Sequence, residues 1–386
     1  MAVSKILAVG VAVVCLWFAA PAAADSELSG IKRRLYVVTP GIRNYLEFGG
    51  AGVLVFDADY KLNAADSYKF LRRIPTPASR AEKPENIKGV CASATPPRLF
   101  FTTISTIYCL DLLTEESLWE RKLEKGCDRL NITPDGRQLF VPSFEKDIWT
   151  AVDAATGEPL AEIRTDSGAH NTVCGLDGKH VYMAGLRSPY LAVADTNSHE
   201  LVAKAGPFSQ SIRPFTVNGS QTRCYVCVNG LLGFEIGDLK TGEKLARVEV
   251  EGFEAGPVKR HGCPSHGIGL TPDEREIWLC DGHNSRLHVF DLTQSPPKQV
   301  ASLAVREQPG WVTFNLDGTH ALSSTGEVFD VKTRKIIATL SDEEGREVHS
   351  EKMLEVMFHE GRVLSVGNQF GVGRVEGGEP NAKPLP

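Results

Sequence analysis

Apolar and β-favouring residues fall in short runs along this chain, and tight turns of one recurring kind separate them. The turns are Thr95-Pro96-Pro97-Arg98, Thr133-Pro134-Asp135-Gly136-Arg137, Leu176-Asp177-Gly178-Lys179, Asn218-Gly219-Ser220, Thr271-Pro272-Asp273-Glu274, Leu316-Asp317-Gly318-Thr319 and His359-Glu360-Gly361-Arg362. Each supplies hairpin chemistry. Between Pro96, Pro134, Leu176, Asn218, Pro272, Leu316 and His359 the steps are 38, 42, 42, 54, 44 and 43 residues. A period near this length, carrying four short strands, is that of a β-propeller blade.

The third unit shows the internal order. Asp128 to Ile132 reads as an inner strand, Gln138 to Pro142 as its return, Ile148 to Asp153 as a third strand and Leu160 to Ile163 as the outer one. Third strands ending in Asp recur at Asp57, Asp111, Asp195, Asp291 and Asp330, and that carboxylate is expected to cap the following turn. The N-terminal unit begins at a second strand, Leu35 to Thr39, while Met353 to Phe358 supplies a seventh inner strand. The expectation is therefore an all-β chain: a seven-bladed β-propeller closed by pairing its N- and C-terminal strands in one blade. One segment does not fit. Arg362 to Val366 reads as an additional second strand, either a tail outside the ring or part of an eighth blade.

One apolar run is of another kind. Lys5 precedes Ile6 to Ala20, and Pro21-Ala22-Ala23-Ala24 ends in the small-x-small pattern of a signal-peptidase site. The boundaries read as a signal peptide at 1–24, an N-terminal extension at 25–34, a propeller at 35–366 and a C-terminal tail at 367–386. At about 15 residues the run is short for a membrane span, so the mature chain is expected to be periplasmic or secreted, with no membrane insertion after cleavage. The net charge of −6, from 42 basic against 48 acidic residues, argues against nucleic acid as a partner.

Tyr36-Val37-Val38-Thr39, the turn at 133–136, and Gly267 to Trp278 followed by Val289-Phe290-Asp291 resemble the YVTN or YncE-type (WD40-like) β-propeller repeat family. The resemblance covers nearly all of the mature chain. It implies the fold more than an activity, because that superfamily is similar to surface-layer proteins, lactonases and propeller subunits of amine dehydrogenases alike.

In a propeller the long, varied loops mark the working face. Five of the ten histidines map there, His170, His261, His266, His283 and His349, with Asp128, Arg129, Arg213, Arg260 and Glu351. Residues at the starts of inner strands converge on the central channel. The ligand-binding set is Asp128, Arg129, His170, Arg213, His266 and His283, for an unidentified small molecule or a protein partner. The alternative is a lactonase-like hydrolase in which His170 or His266 activates water, Arg213 stabilises the oxyanion, and Glu351 or Asp128 orients the imidazole. Neither GxxxxGK, GxGxxG nor GxSxG is present, and no cofactor is implied. His261, His266 and His283 lack compact metal-ligand spacing, and no metal is assigned.

Eight cysteines follow the signal segment. If the turn of the sixth unit is centred near Pro272 and Asp273, Cys263 faces Cys280, and a disulfide is expected there; two separate buried thiols are the alternative.

Overall fold

The computed structural model describes residues 30–59 and 67–375. The expected signal peptide lies outside the described residues. Among those described, 29 strands form seven sheets. Blade one joins β1 (Lys32–Thr39), β2 (Gly52–Asp57) and β3 (Lys69–Ile74) to β28 (Met353–His359) and β29 (Arg362–Val366). The other six are four-stranded antiparallel sheets in chain order: β4 to β7 (Gly89–Ala94 to Ser117–Lys122), β8 to β11 (Asn131–Ile132 to Pro159–Arg164), β12 to β15 (Ala169–Cys174 to Leu201–Ala205), β16 to β19 (Ile212–Val217 to Lys244–Glu249), β20 to β23 (Ile268–Leu270 to Lys298–Ala304) and β24 to β27 (Val312–Phe314 to Ile336–Thr339).

The repeat read from the turns is a repeat in space. In every blade the register between third and outer strand shifts once, for instance at Val55/Phe56, Ala151/Val152 and Val328/Phe329. The Asp that ends the third strand caps the next turn. Asp111 Oδ1 accepts from the Leu113 and Thr114 amides at 2.7 and 2.9 Å, and Asp153 Oδ1 accepts from those of Ala155 and Thr156 at 2.9 Å.

Successive core residues of a strand enter the gaps on its two sides: Tyr36 and Val38 pack in one cluster, Leu35 and Val37 in another. One cluster joins Tyr36 and Val55 of blade one to Val90 and Phe101 of blade two, and another joins Trp278 and Val289 to Val312 and Phe329. Each blade therefore depends on both neighbours, and the ring must close. It closes through β1 and β28, whose register runs from Lys32 opposite Phe358 to Val37 opposite Met353. Removing residues 353–386 exposes the edge of β1 to intermolecular pairing. The truncated chain is expected to aggregate, whereas a monomer melting like the full chain would contradict closure.

Two expectations need correction. Arg362 to Val366 forms neither an outside tail nor an eighth blade. It pairs with β28 on the side away from β1, as an extra strand facing the channel. The chain then turns at 367–370 and runs back along the inner strands. The Leu270 amide and the Thr216 hydroxyl donate to Gly371 O at 2.8 Å, and the Gly373 and Arg374 amides donate to Val217 O and Pro272 O at 3.0 Å. Residues 367–375 thus plug the channel, with Phe370 fully buried.

The second correction concerns cysteine. All eight described cysteines are buried free thiols, Cys263 and Cys280 included. The turn is centred between Asp273 and Glu274, so Ile268 faces Leu279 and Leu270 faces Ile277. That register sets the Cys280 amide against Gly267 O at 2.8 Å, and Cys263 lies four residues before Gly267, out of reach of the cross-strand position.

Candidate functional site: a cationic funnel

Inner strands begin at the working face, so a side chain within two residues of each start points towards one axis. Going round the ring these are Lys88, Arg129, His170, Arg213, His266, Trp311 and Lys352. All but Trp311 line a single pocket of about 520 Å³, together with Arg43, Tyr45 and Arg260 from the surrounding loops. Trp311 lies beneath it. Its ring supports the Arg129 guanidinium at 4.5 Å, its indole N–H donates to Gln369 O, and Phe370 packs against it edge-on at 5.6 Å. The channel plug is therefore the funnel's floor, and the funnel is blind.

Inside, the charges form one chain. Asp128 Oδ2 accepts from His170 Nδ1 at 2.6 Å, and His170 Nε2 is 3.2 Å from Arg129 Nη1. A guanidinium can only donate, so Nε2 is the acceptor and the imidazole is neutral with its proton on Nδ1. Arg129 Nη2 reaches Glu351 Oε2, and Lys352 Nζ donates to that oxygen and to Gly41 O, both at 2.8 Å. Arg129 Nε is buried with no hydrogen-bond partner.

The protonation states follow from burial weighed against these neighbours. Burial pushes the Glu351 carboxyl up, but Lys352 and Arg129 outweigh it and hold it well below the carboxylate range. Lys352 is pushed down to about 7, by burial first and by Arg129 and Lys88 next, against the pull of Glu351. Burial also lowers His170 and His266, the latter strongly. Asp128 is raised by burial and lowered further by His170, Lys88 and Arg129, reaching about 2.

A carboxyl held below its unfolded value adds stability above that value and loses it as pH falls through the folded one. Asp128 is thus expected to contribute roughly 2 kcal/mol at neutral pH, lost between about pH 4 and 2. Denaturant unfolding across that range should show this step in the wild type and a smaller one in Asp128→Asn. An identical acid limb in both would refute it.

The structure brings Arg129, His170, Arg213, His266 and Glu351 to the pocket, with Asp128 directly behind His170. It does not bring His283, which is exposed and faces Pro257 O at 3.2 Å, nor His349, stacked on Phe48. Lys88, His261, Trp311 and Lys352 complete the arrangement without having been singled out as ligand-binding. The signal for three of them was positional: each lies at an inner-strand start, as Arg213 does.

Comparison with known proteins supports the architecture and nothing finer. The structure is similar to a chain of Kuenenia stuttgartiensis hydrazine synthase, with TM-score 0.54 and 16% identity over 72% of this chain and 86% of that one. This is a likeness of fold. No protein-family model matches the sequence, and no curated protein matches it. A seven-bladed β-propeller is what the chain shares with known structures; the contents of its funnel must be read from its own residues.

Proposed function

We propose that this protein is an exported YVTN-type propeller that captures a small anion, of carboxylate class, in the funnel. One observation carries the reading. The blind pocket is lined by six basic side chains, Arg43, Lys88, Arg129, Arg213, Arg260 and Lys352, against two carboxylates, Glu145 and Glu351. Charges of one sign in a concave, partly desolvated site focus the field on an incoming anion. Guanidinium groups match carboxylate geometry with two parallel donors.

The inner ring supplies orientation. Arg213 Nε donates to Asn229 Oδ1 at 2.7 Å, which fixes its guanidinium at the wall. Arg260 lies over the Phe48 and Tyr45 rings, at 5.1 and 5.7 Å from their centroids, at the rim. The lactonase-like alternative is less well supported, because the His170 lone pair is already taken by Arg129 and cannot also activate water. That alternative would fall to His266 alone. Export rests on the leader-like residues 1–24 and is checked by the N-terminal sequence of protein recovered outside the cytoplasm, expected to begin at Asp25.

Calorimetric titration with a panel of small mono- and dicarboxylates tests the binding reading. Arg213→Ala should weaken the tightest ligand by about 1 to 3 kcal/mol, the range for leaving a hydrogen-bonding group without its partner, with little change in stability. Equal affinity in wild type and variant, or no carboxylate bound at all, would remove the proposal.

A further inference from the structure

Three side chains of the funnel wall converge in a way that anion capture does not require. His261, His266 and Glu351 each offer a ligand atom, and the three atoms lie within 4.8 Å of one another. His261 Nδ1 is 3.4 Å from Glu351 Oε1, His266 Nδ1 is 4.0 Å from the same oxygen, and the two imidazoles stack with centroids 4.5 Å apart. Ligands at zinc-like bond lengths in a tetrahedron are roughly 3.3 Å apart. The first edge already has that length, and the second closes with a shift of roughly 0.7 Å.

The surroundings of the triad favour a cation between these atoms. His261 Nε2 faces Gln308 O at 3.4 Å. A proton on Nε2 donates there, as the outer nitrogen of a ligating histidine commonly does. The Nδ1 lone pair then faces a carboxylate oxygen, and two acceptors opposed at 3.4 Å need a proton or a metal between them. The other carboxylate oxygen is already braced by Arg129 and Lys352, which fixes the orientation of the first. Gly310 makes the convergence possible. A Cβ at this position would lie 2.2 Å from His261 Cε1 and Nε2 and 2.8 Å from Glu351 Oε1. His266 Nδ1 keeps a 3.3 Å contact with Gly310 O, which a metal on that nitrogen would replace.

The geometry points to a divalent transition-metal site of the zinc or copper class formed by His261, His266 and Glu351. Two imidazoles select such ions over calcium or magnesium, which require mostly oxygen ligands. All three residues line the pocket, so remaining coordination positions open into the funnel. The inference goes beyond anion capture and does not depend on it.

The test uses the metals alone. Full-length protein stripped with a chelator is titrated with Zn²⁺ and, separately, with Cu²⁺. One equivalent should bind, and His261→Ala should weaken it by at least about the 100-fold that even an outer hydrogen-bond partner can contribute. His283→Ala should leave it unchanged. The Cu²⁺ complex should show electron-spin hyperfine coupling to two imidazole nitrogens, reduced to one in His261→Ala. Because His261 lies on a loop, its variant should fold, and circular dichroism confirms this. No stoichiometric metal in the wild type, or full affinity in His261→Ala, overturns the inference. Since no organic anion is present, neither result bears on carboxylate binding.

Discussion

Phe370→Ala is expected to destabilise the propeller by about 3 to 5 kcal/mol, the range for deleting a fully buried aromatic side chain. The phenyl ring is completely buried and belongs to a core cluster with Phe215, Val217 and Trp311, elements that come from different blades. Removing it leaves a cavity at the axis, where rigid strands from several sheets limit collapse. The effect should reach the funnel as well. Phe370 supports Trp311, and Trp311 supports Arg129, so a loosened floor moves the buried guanidinium. Equilibrium unfolding in denaturant measures the first effect, and the carboxylate titration measures the second. A loss below about 1 kcal/mol would mean that the returning segment is not part of the packed core.

Glu351→Ala should be of similar size, for an electrostatic reason. Glu351 is the acceptor shared by Arg129 and Lys352, and all three are at most 5% exposed. Deleting the carboxylate leaves a permanent cation buried without its partner, which typically costs about 3 to 5 kcal/mol. The pair itself does not make the fold more stable than an apolar substitute would. Replacing both members, Arg129→Met with Glu351→Leu, is therefore expected to recover a large part of the loss while abolishing anion binding. If the double variant is as unstable as the single one, the ion pair is not the source of the effect.

These two expectations depend on features of very different legibility. The blades could be read because each repeats a turn with fixed chemistry. Gln138 to Pro142 and Ile148 to Asp153 occupy the residues expected of β9 and β10, since Pro134-Asp135-Gly136 on one side and Ala155-Thr156-Gly157 on the other leave little freedom. The funnel was legible in part by the same logic: His170, Arg213 and His266 lie at inner-strand starts, and the repeat aims those positions at one axis. The central plug was not legible. Arg362 to Val366 has the alternation of any second strand, and nothing in that alternation says which edge it joins. Its partner is chosen by the empty channel, a property of the closed ring and not of any local run. Cys263 and Cys280 failed for a smaller reason. The register of a hairpin depends on which turn residues take the left-handed conformation; with Glu274 at φ of 60° the turn centre lies two residues beyond the one that would set Cys263 opposite Cys280.

Lys352 shows a third kind of limit. Its neighbour Glu351 was visible as a candidate, but a lysine beside a glutamate is ordinarily a solvated pair. Only burial of both at the channel axis turns them into part of a charged network.

The central claim is that the blind funnel, and no other surface, takes an anionic ligand. A crystal structure of the protein with the tightest carboxylate from the titration tests it most directly. The carboxylate should lie between Arg129 and Arg213, above Trp311, with guanidinium donors at ordinary charge-assisted distances. A ligand bound instead at the Asp-Gly turns of the opposite rim, with the funnel holding only water, would contradict it.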